Sequence, residues 1–128
     1  MALLKVAESI KENNKKPTRY YSSKQESLIS KKLNGNKVKN SGATMFSKGD
    51  VKVKGLLTIE CKTKTTSSST ITIHKDWLEK IEKESLFEGT PYSLLVFNFG
   101  PNEDNYYVLN EDLWLEFYEY LKQKHNIK

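Results

Sequence analysis

The chain is poor in the residues that would make its chemistry easy to guess. A single cysteine, Cys61, stands in 128 residues, which excludes an internal disulfide and fits a reducing compartment. The only two histidines, His74 and His125, lie far apart, which argues against a histidine-built zinc site, and no Ser–His–Asp set is apparent. No apolar run approaches the roughly 20 residues of a membrane span. The opening MALLKVAESIKENNKK is interrupted by Lys5 and Glu8 and makes a poor signal peptide. No membrane partner and a cytoplasmic location are therefore expected. Solenoid or propeller repeats are missing as well.

What is present fits one soluble domain. The chain is 37% hydrophobic and 29% charged, long enough to bury a core. The net charge of +5 is unevenly spread. Residues 1–48 hold 11 Lys/Arg against 3 acids, whereas residues 76–128 hold 5 against 11. A basic front and an acidic tail form a candidate footprint for a polyanion. A lysine-rich solvated surface is the plainer alternative.

Residues 1–18 read as a short amphipathic helical arm with Leu3, Leu4, Ala7 and Ile10 on one side, broken by Asn13, Asn14 and Pro17. Residues 19–128 form the domain proper. Ser23 and Glu26 have the spacing of a capping box, which predicts a helix from Ser23 to Asn34-Gly35. Lys37 to Ser41 reads as a short strand. Asp50–Val53 and Leu57–Lys62 alternate as half-buried strands do, with Gly55 at the turn. A polar Thr/Ser/Lys run follows at 63–70. A helix is expected over 74–87, ended by Gly89-Thr90-Pro91. Tyr92–Phe99 is an apolar run of strand length, buried on both faces. Tyr106–Leu109 is a further strand. Asn110 caps a last helix with a stripe of Leu113, Trp114, Phe117, Tyr118 and Leu121. The order predicts an α/β fold with a mixed sheet of about five strands flanked by helices.

The chemistry concentrates on the hairpin. Glu60 and Lys62 share one strand face, and Leu57, Ile59 and Cys61 share the other. Val51 and Val53 face the core if Asp50 and Lys52 do not. Residues directly opposite in an antiparallel pair share a face. A two-residue turn at Lys54-Gly55 would set Asp50 against Ile59, on the wrong side. An odd loop of three residues containing Gly55, or a bulge, sets Asp50 beside Glu60. Two converging carboxylates make an oxygen-rich site for Mg²⁺ or Mn²⁺, to which the Cys61 backbone carbonyl would add a ligand. A metal there lowers the pKa of a bound water and stabilises phosphoryl charge. Lys62 would position that water or neutralise the transition state. The same spacing also arises on solvated strand faces.

Gly49-Asp50-Val51 followed by Leu57-Thr58-Ile59-Glu60-Cys61-Lys62-Thr63 resembles the PD-(D/E)xK nuclease superfamily. Within it, the context is similar to the Holliday junction resolvases of archaea and phages. Gln25-Glu26-Ser27, Asn40-Ser41-Gly42-Ala43 and Lys48-Gly49-Asp50 match their other pieces in order. Gly49 stands where the superfamily name has Pro, as is usual for resolvase-like members. The resemblance covers about residues 20–100. It implies a restriction-endonuclease-like fold, divalent-metal DNA cleavage and often a homodimer. It further implies Asp50 and Glu60 as metal ligands, Lys62 as the catalytic lysine, Glu26 as the helix carboxylate for a second metal or its water, and Ser41 as an accessory group. A capping-box glutamate at position 26 has the same appearance.

Lys64 and Lys75, with the Thr65–Thr70 run, are candidate phosphate contacts, joined by Ser41 and Lys48 near the site. Cys61 is expected as a core thiol rather than a nucleophile. Tyr20 and Tyr21 are expected to pack. Trp77, Trp114, Phe117 and Tyr118 read as core or dimer contacts, and the acidic last helix should point away from DNA. The expected function is a structure-selective endonuclease acting on four-way junctions in recombination or repair. Other nucleases on the same core, acting on duplex or single strands, and a non-catalytic DNA-binding module remain as alternatives.

Overall fold

The structure is a computed structural model, and it describes residues 18–38 and 50–128. The expected arm up to Pro17, and Ser41 and Lys48, lie outside the described residues.

Helix α1 spans Thr18–Leu33. It begins five residues before the expected Ser23 cap, so Ser23 and Glu26 are interior helix positions and the capping-box expectation is corrected. The reason is visible in the packing. Tyr21, Gln25 and Ile29 recur every four residues and are all buried, so the buried stripe begins ahead of Ser23. The helix ends as expected: Asn34 takes φ 56° and the Gly35 N–H donates to the Ser30 carbonyl at 2.8 Å.

Strand β1 is described over Asn36–Lys37 and pairs antiparallel with β2, Val51–Val53. The Val38 N–H donates to the Asp50 carbonyl at 3.0 Å, continuing that ladder. β2 pairs antiparallel with β3, Leu57–Lys62, in the register Val51↔Ile59 and Val53↔Leu57. Lys54, Gly55 and Leu56 are left as a three-residue turn with Gly55 at φ 75°, as the face argument required.

Helix α2 covers Lys75–Glu88, with His74 at its N-cap and Gly89 left-handed at its end. It is the crossover that lets β4, Tyr92–Phe97, lie parallel to β3. β4 stops two residues short of the expected Phe99. β5, Tyr106–Val108, pairs antiparallel with β4. Helix α3, Glu111–Lys124, starts from Asn110, whose side chain accepts the Leu113 N–H. The five-stranded mixed sheet has the order β1-β2-β3-β4-β5. This α/β architecture is consistent with a restriction-endonuclease-like fold.

The main core lies between α1 and one sheet face, built from Ile29, Val51, Ile59, Cys61, Leu94 and Val96. Each such side chain contributes about 1.5–3 kcal/mol of burial. The opposite face, which carries Thr58, Glu60, Leu95 and Lys62, is covered by α2. Ile81 and Leu95 are buried there. Beside them Thr90 Oγ1 lies 2.7 Å from Thr58 Oγ1 and 2.8 Å from Ser85 Oγ, a buried hydroxyl trio.

The aromatic stripe of the last helix does not take the core role. Only Leu113 packs against the core, and α3 has no buried residue. Trp114, Leu115, Phe117, Tyr118 and Tyr120 are all exposed. Among the described residues, no helix is long and apolar enough to cross a membrane.

Candidate active site

Alternation along β3 turns Ile59 and Cys61 toward α1 and Glu60 and Lys62 toward α2. Asp50 lies just beyond the Val51↔Ile59 pair, toward the Glu60 end of β3. The Asp50 N–H donates to the Ile59 carbonyl at 2.8 Å, and Val51 already pairs with Ile59. Two residues therefore oppose one, a β-bulge at the mouth of the hairpin. The bulge aims Asp50 along β3, where its Oδ2 accepts the Cys61 N–H at 2.8 Å.

Glu60 is only 3% exposed. Its Oε2 lies 3.5 Å from Lys62 Nζ and 3.2 Å from Lys80 Nζ. Its Oε1 is buried and has no hydrogen-bond partner among the described residues. Burial raises the Glu60 pKa, the Asp50 charge adds to that, and Lys80 and Lys62 oppose it. Glu26 is lifted to about 7, first by burial and then by Asp50, with Lys37 and Arg19 opposing and Glu60 adding. The three carboxylates named by the sequence thus sense one another. They do not form a finished cage: among the described residues no three of His, Cys, Asp and Glu group tightly enough to hold one ion. Asp50 is the charge the other two share: it raises the pKa of both Glu60 and Glu26.

A hard divalent cation fits this donor set. Its preferred ligands are oxygens, the orphaned Glu60 Oε1 is one, and a positive charge would relieve the repulsion that raises the Glu60 pKa. The Cys61 backbone lies at the Asp50 carboxylate through its N–H, the group opposite in character to the carbonyl expected as a ligand. The Cys61 thiol is in the core. Burial, then Asp50, Glu26 and Glu60, push its pKa up, so it stays protonated and is no nucleophile.

Lys62 is held at both ends. Its ammonium lies 4.6 Å from the centroid of the Trp77 ring, which in turn meets His74 at 4.6 Å. Its backbone carbonyl accepts from Gln25 Nε2 at 2.9 Å. Gln25 is 4% exposed and also reaches Asn105 Oδ1 at 3.2 Å, so α1 is pinned to the end of β3 one residue before Glu26.

Lys64 bends back on its own loop, Nζ to the Thr70 carbonyl. With Thr18, Thr63 and the 65–68 segment it lines an open groove beyond Lys62. Lys75 is exposed at the start of α2.

Four site residues escaped the sequence reading: Gln25, Trp77, Lys80 and Glu84. Lys80 bridges Glu60 and Glu84, at 3.2 and 3.4 Å. Burial alone would lower its pKa, but Glu60 and Glu84 outweigh this and raise it, so it stays charged. The available signal was the spacing Trp77, Lys80, Ile81, Glu84 on one face of α2, which puts two charges on the stripe that also carries Ile81.

Comparison of the chain with family models, with curated proteins and with solved structures finds no match.

Proposed function

We propose that this chain is a divalent-metal-dependent DNA endonuclease of the Holliday junction resolvase kind. One observation carries the reading. A bulged hairpin holds the Asp50 carboxylate at the Cys61 N–H, next along β3 from a buried Glu60; one Glu60 oxygen has no hydrogen-bond partner among the described residues, and the Lys62 ammonium stands 3.5 Å from the other.

In this reading Asp50 and Glu60 hold Mg²⁺ or Mn²⁺, and Glu26 serves a second ion or its water. The bound cation supplies positive charge and Lewis acidity beside the phosphate. The chain's own groups do the rest. The Cys61 N–H fixes the Asp50 carboxylate. Trp77 and Glu60 hold the Lys62 ammonium where it can neutralise charge developing on a phosphoryl oxygen. Lys75 and the groove beside Lys64 lie where neighbouring phosphates would run, and such contacts give position rather than sequence. The charge pattern supports DNA as the partner, with the acidic α3 turned away from it. A homodimer would place two sites on opposite strands of a junction, and the exposed aromatics of α3 offer a surface for it. The work of such an enzyme, in a cell or encoded by a phage, is recombination and repair in the cytoplasm.

The test is cleavage of a labelled four-way junction with Mg²⁺ or Mn²⁺, beside linear duplex and single-strand controls, for the wild type and Asp50→Asn. Paired cuts near the branch that vanish in the variant are expected. Cutting of the controls instead would replace the resolvase by a restriction-type or repair nuclease. Binding with no cutting would leave a DNA-binding module.

A further inference from the structure

Glu60 has one close partner for which the hydrolytic reading has no use, Lys80 on α2. Its ammonium lies 3.2 Å from Glu60 Oε2, the oxygen that also faces Lys62. A divalent ion taken up by the Glu60 carboxylate would meet the Lys80 ammonium as a like charge.

The two lysines are not held alike. Lys62 has the Trp77 ring at 4.6 Å and a backbone locked by Gln25 at 2.9 Å. The Lys80 side chain is 47% exposed and sits on a flexible stem. It has a second acceptor one helical turn on, Glu84 Oε1 at 3.4 Å. Glu84 is 7% exposed, and its Oε2 is buried with no hydrogen-bond partner among the described residues. That carboxylate therefore has unused capacity for an ammonium that leaves Glu60.

We propose that Lys80 is a built-in competitor for the metal: it pairs with Glu60 as in this structure and withdraws onto Glu84 when a divalent cation takes the Glu60 carboxylate. The inference rests on the metal-dependent reading of the site. Lys80 then keeps the buried Glu60 charge compensated while the site is empty. It also sets the metal affinity below what Asp50 and Glu60 alone would give. Glu84 is the positioning residue of the exchange, because it gives the displaced ammonium a place to go.

The experiment is Mn²⁺ binding to the full-length protein, read from the electron paramagnetic resonance signal of free Mn²⁺. It compares the wild type with Lys80→Met, Glu84→Gln, the double variant and Asp50→Asn, each checked for folding by circular dichroism. Lys80→Met is expected to bind about tenfold more tightly. Glu84→Gln should bind more weakly, and the double variant should match Lys80→Met, because Glu84 acts through Lys80. Asp50→Asn should lose the ion, which locates it. Should Lys80→Met fold poorly, Lys80→Gln keeps the stem and carries the same expectation. Unchanged or weaker binding by a folded Lys80 variant, with a wild type that binds, overturns the competitor and leaves the metal site standing. No binding by either protein overturns the metal-dependent reading, and the competitor with it.

Discussion

The ammonium of Lys62 rests 4.6 Å from the centroid of the Trp77 ring. A helix residue thus steadies the strand residue on which the proposed chemistry turns. A cation over an indole face is held by about 0.5–2 kcal/mol depending on desolvation. Trp77→Leu should therefore lower kcat on a cleavable DNA by several-fold to about thirtyfold. DNA affinity should hardly change, and Trp77→Phe should recover most of the rate. Single-turnover cleavage with a parallel binding titration checks this. Equal loss in the Phe and Leu variants would point to simple packing.

Asp50 and Glu60 repel each other, and burial gives that repulsion weight. Asp50→Asn removes one charge and keeps an oxygen for the Cys61 N–H. It should raise the melting temperature of the metal-free protein by a few degrees while abolishing cleavage, a stability–activity trade. Added Mn²⁺ should stabilise the wild type and leave the variant unmoved. Thermal denaturation with and without Mn²⁺ reads both effects. A variant less stable than the wild type would contradict the electrostatic account.

Glu26 has its pKa raised to about 7, burial first and Asp50 next. A carboxyl group whose pKa is higher in the folded than in the unfolded state favours folding when protonated. That contribution is full below the unfolded value of 4.5 and is lost as pH rises through about 7. Glu26→Gln should thus be more stable than the wild type at pH 8, by about 1 kcal/mol once solvent screening of a half-buried group is allowed for. At pH 4 the two should coincide. Urea titrations at several pH values test the sign, and a constant difference across them would remove Glu26 from the electrostatic cluster.

Helix α3 presents Trp114, Phe117 and Tyr118 to solvent, 46%, 49% and 44% exposed, along one face at helical spacing. If the homodimer uses this face, the pair Trp114→Glu and Phe117→Glu should yield a monomer. Folding should survive, because α3 has no buried residue. Light scattering behind size exclusion decides. A wild type that is monomeric with and without junction DNA would sink the dimer.

Much of the site could be read from the sequence because the information was short-range. The face pattern of the two strands calls for an odd turn at Gly55, and the structure has the three-residue turn. Asn110 and Gly89 marked helix ends through contacts three to five residues away. What was not legible depends on partners distant in the chain. The start of α1 depends on Tyr21 finding the core, and Ser22 and Ser23 are tolerated within the helix. Ser22 Oγ bonds back to the Thr18 carbonyl, as serines in helices do. Lys80 and Glu84 look like an ordinary surface pair at i,i+4 until β3 brings Glu60 beneath them. The stripe on α3 reads as core or dimer contact, and periodicity alone cannot choose between them; among the described residues it is exposed.

The three-residue turn at Lys54-Gly55-Leu56 has an evolutionary corollary. It sets the phase of the whole strand. Losing or gaining one residue there would exchange the two sides of β3 relative to β2, sending Glu60 and Lys62 toward Ile29 and Leu33 and turning Ile59 toward α2. Residue identities in this turn can drift wherever Gly55 keeps its positive φ, but its length cannot. Descendants of this chain should accumulate substitutions at Lys54 and Leu56 freely, and single-codon insertions or deletions there almost never.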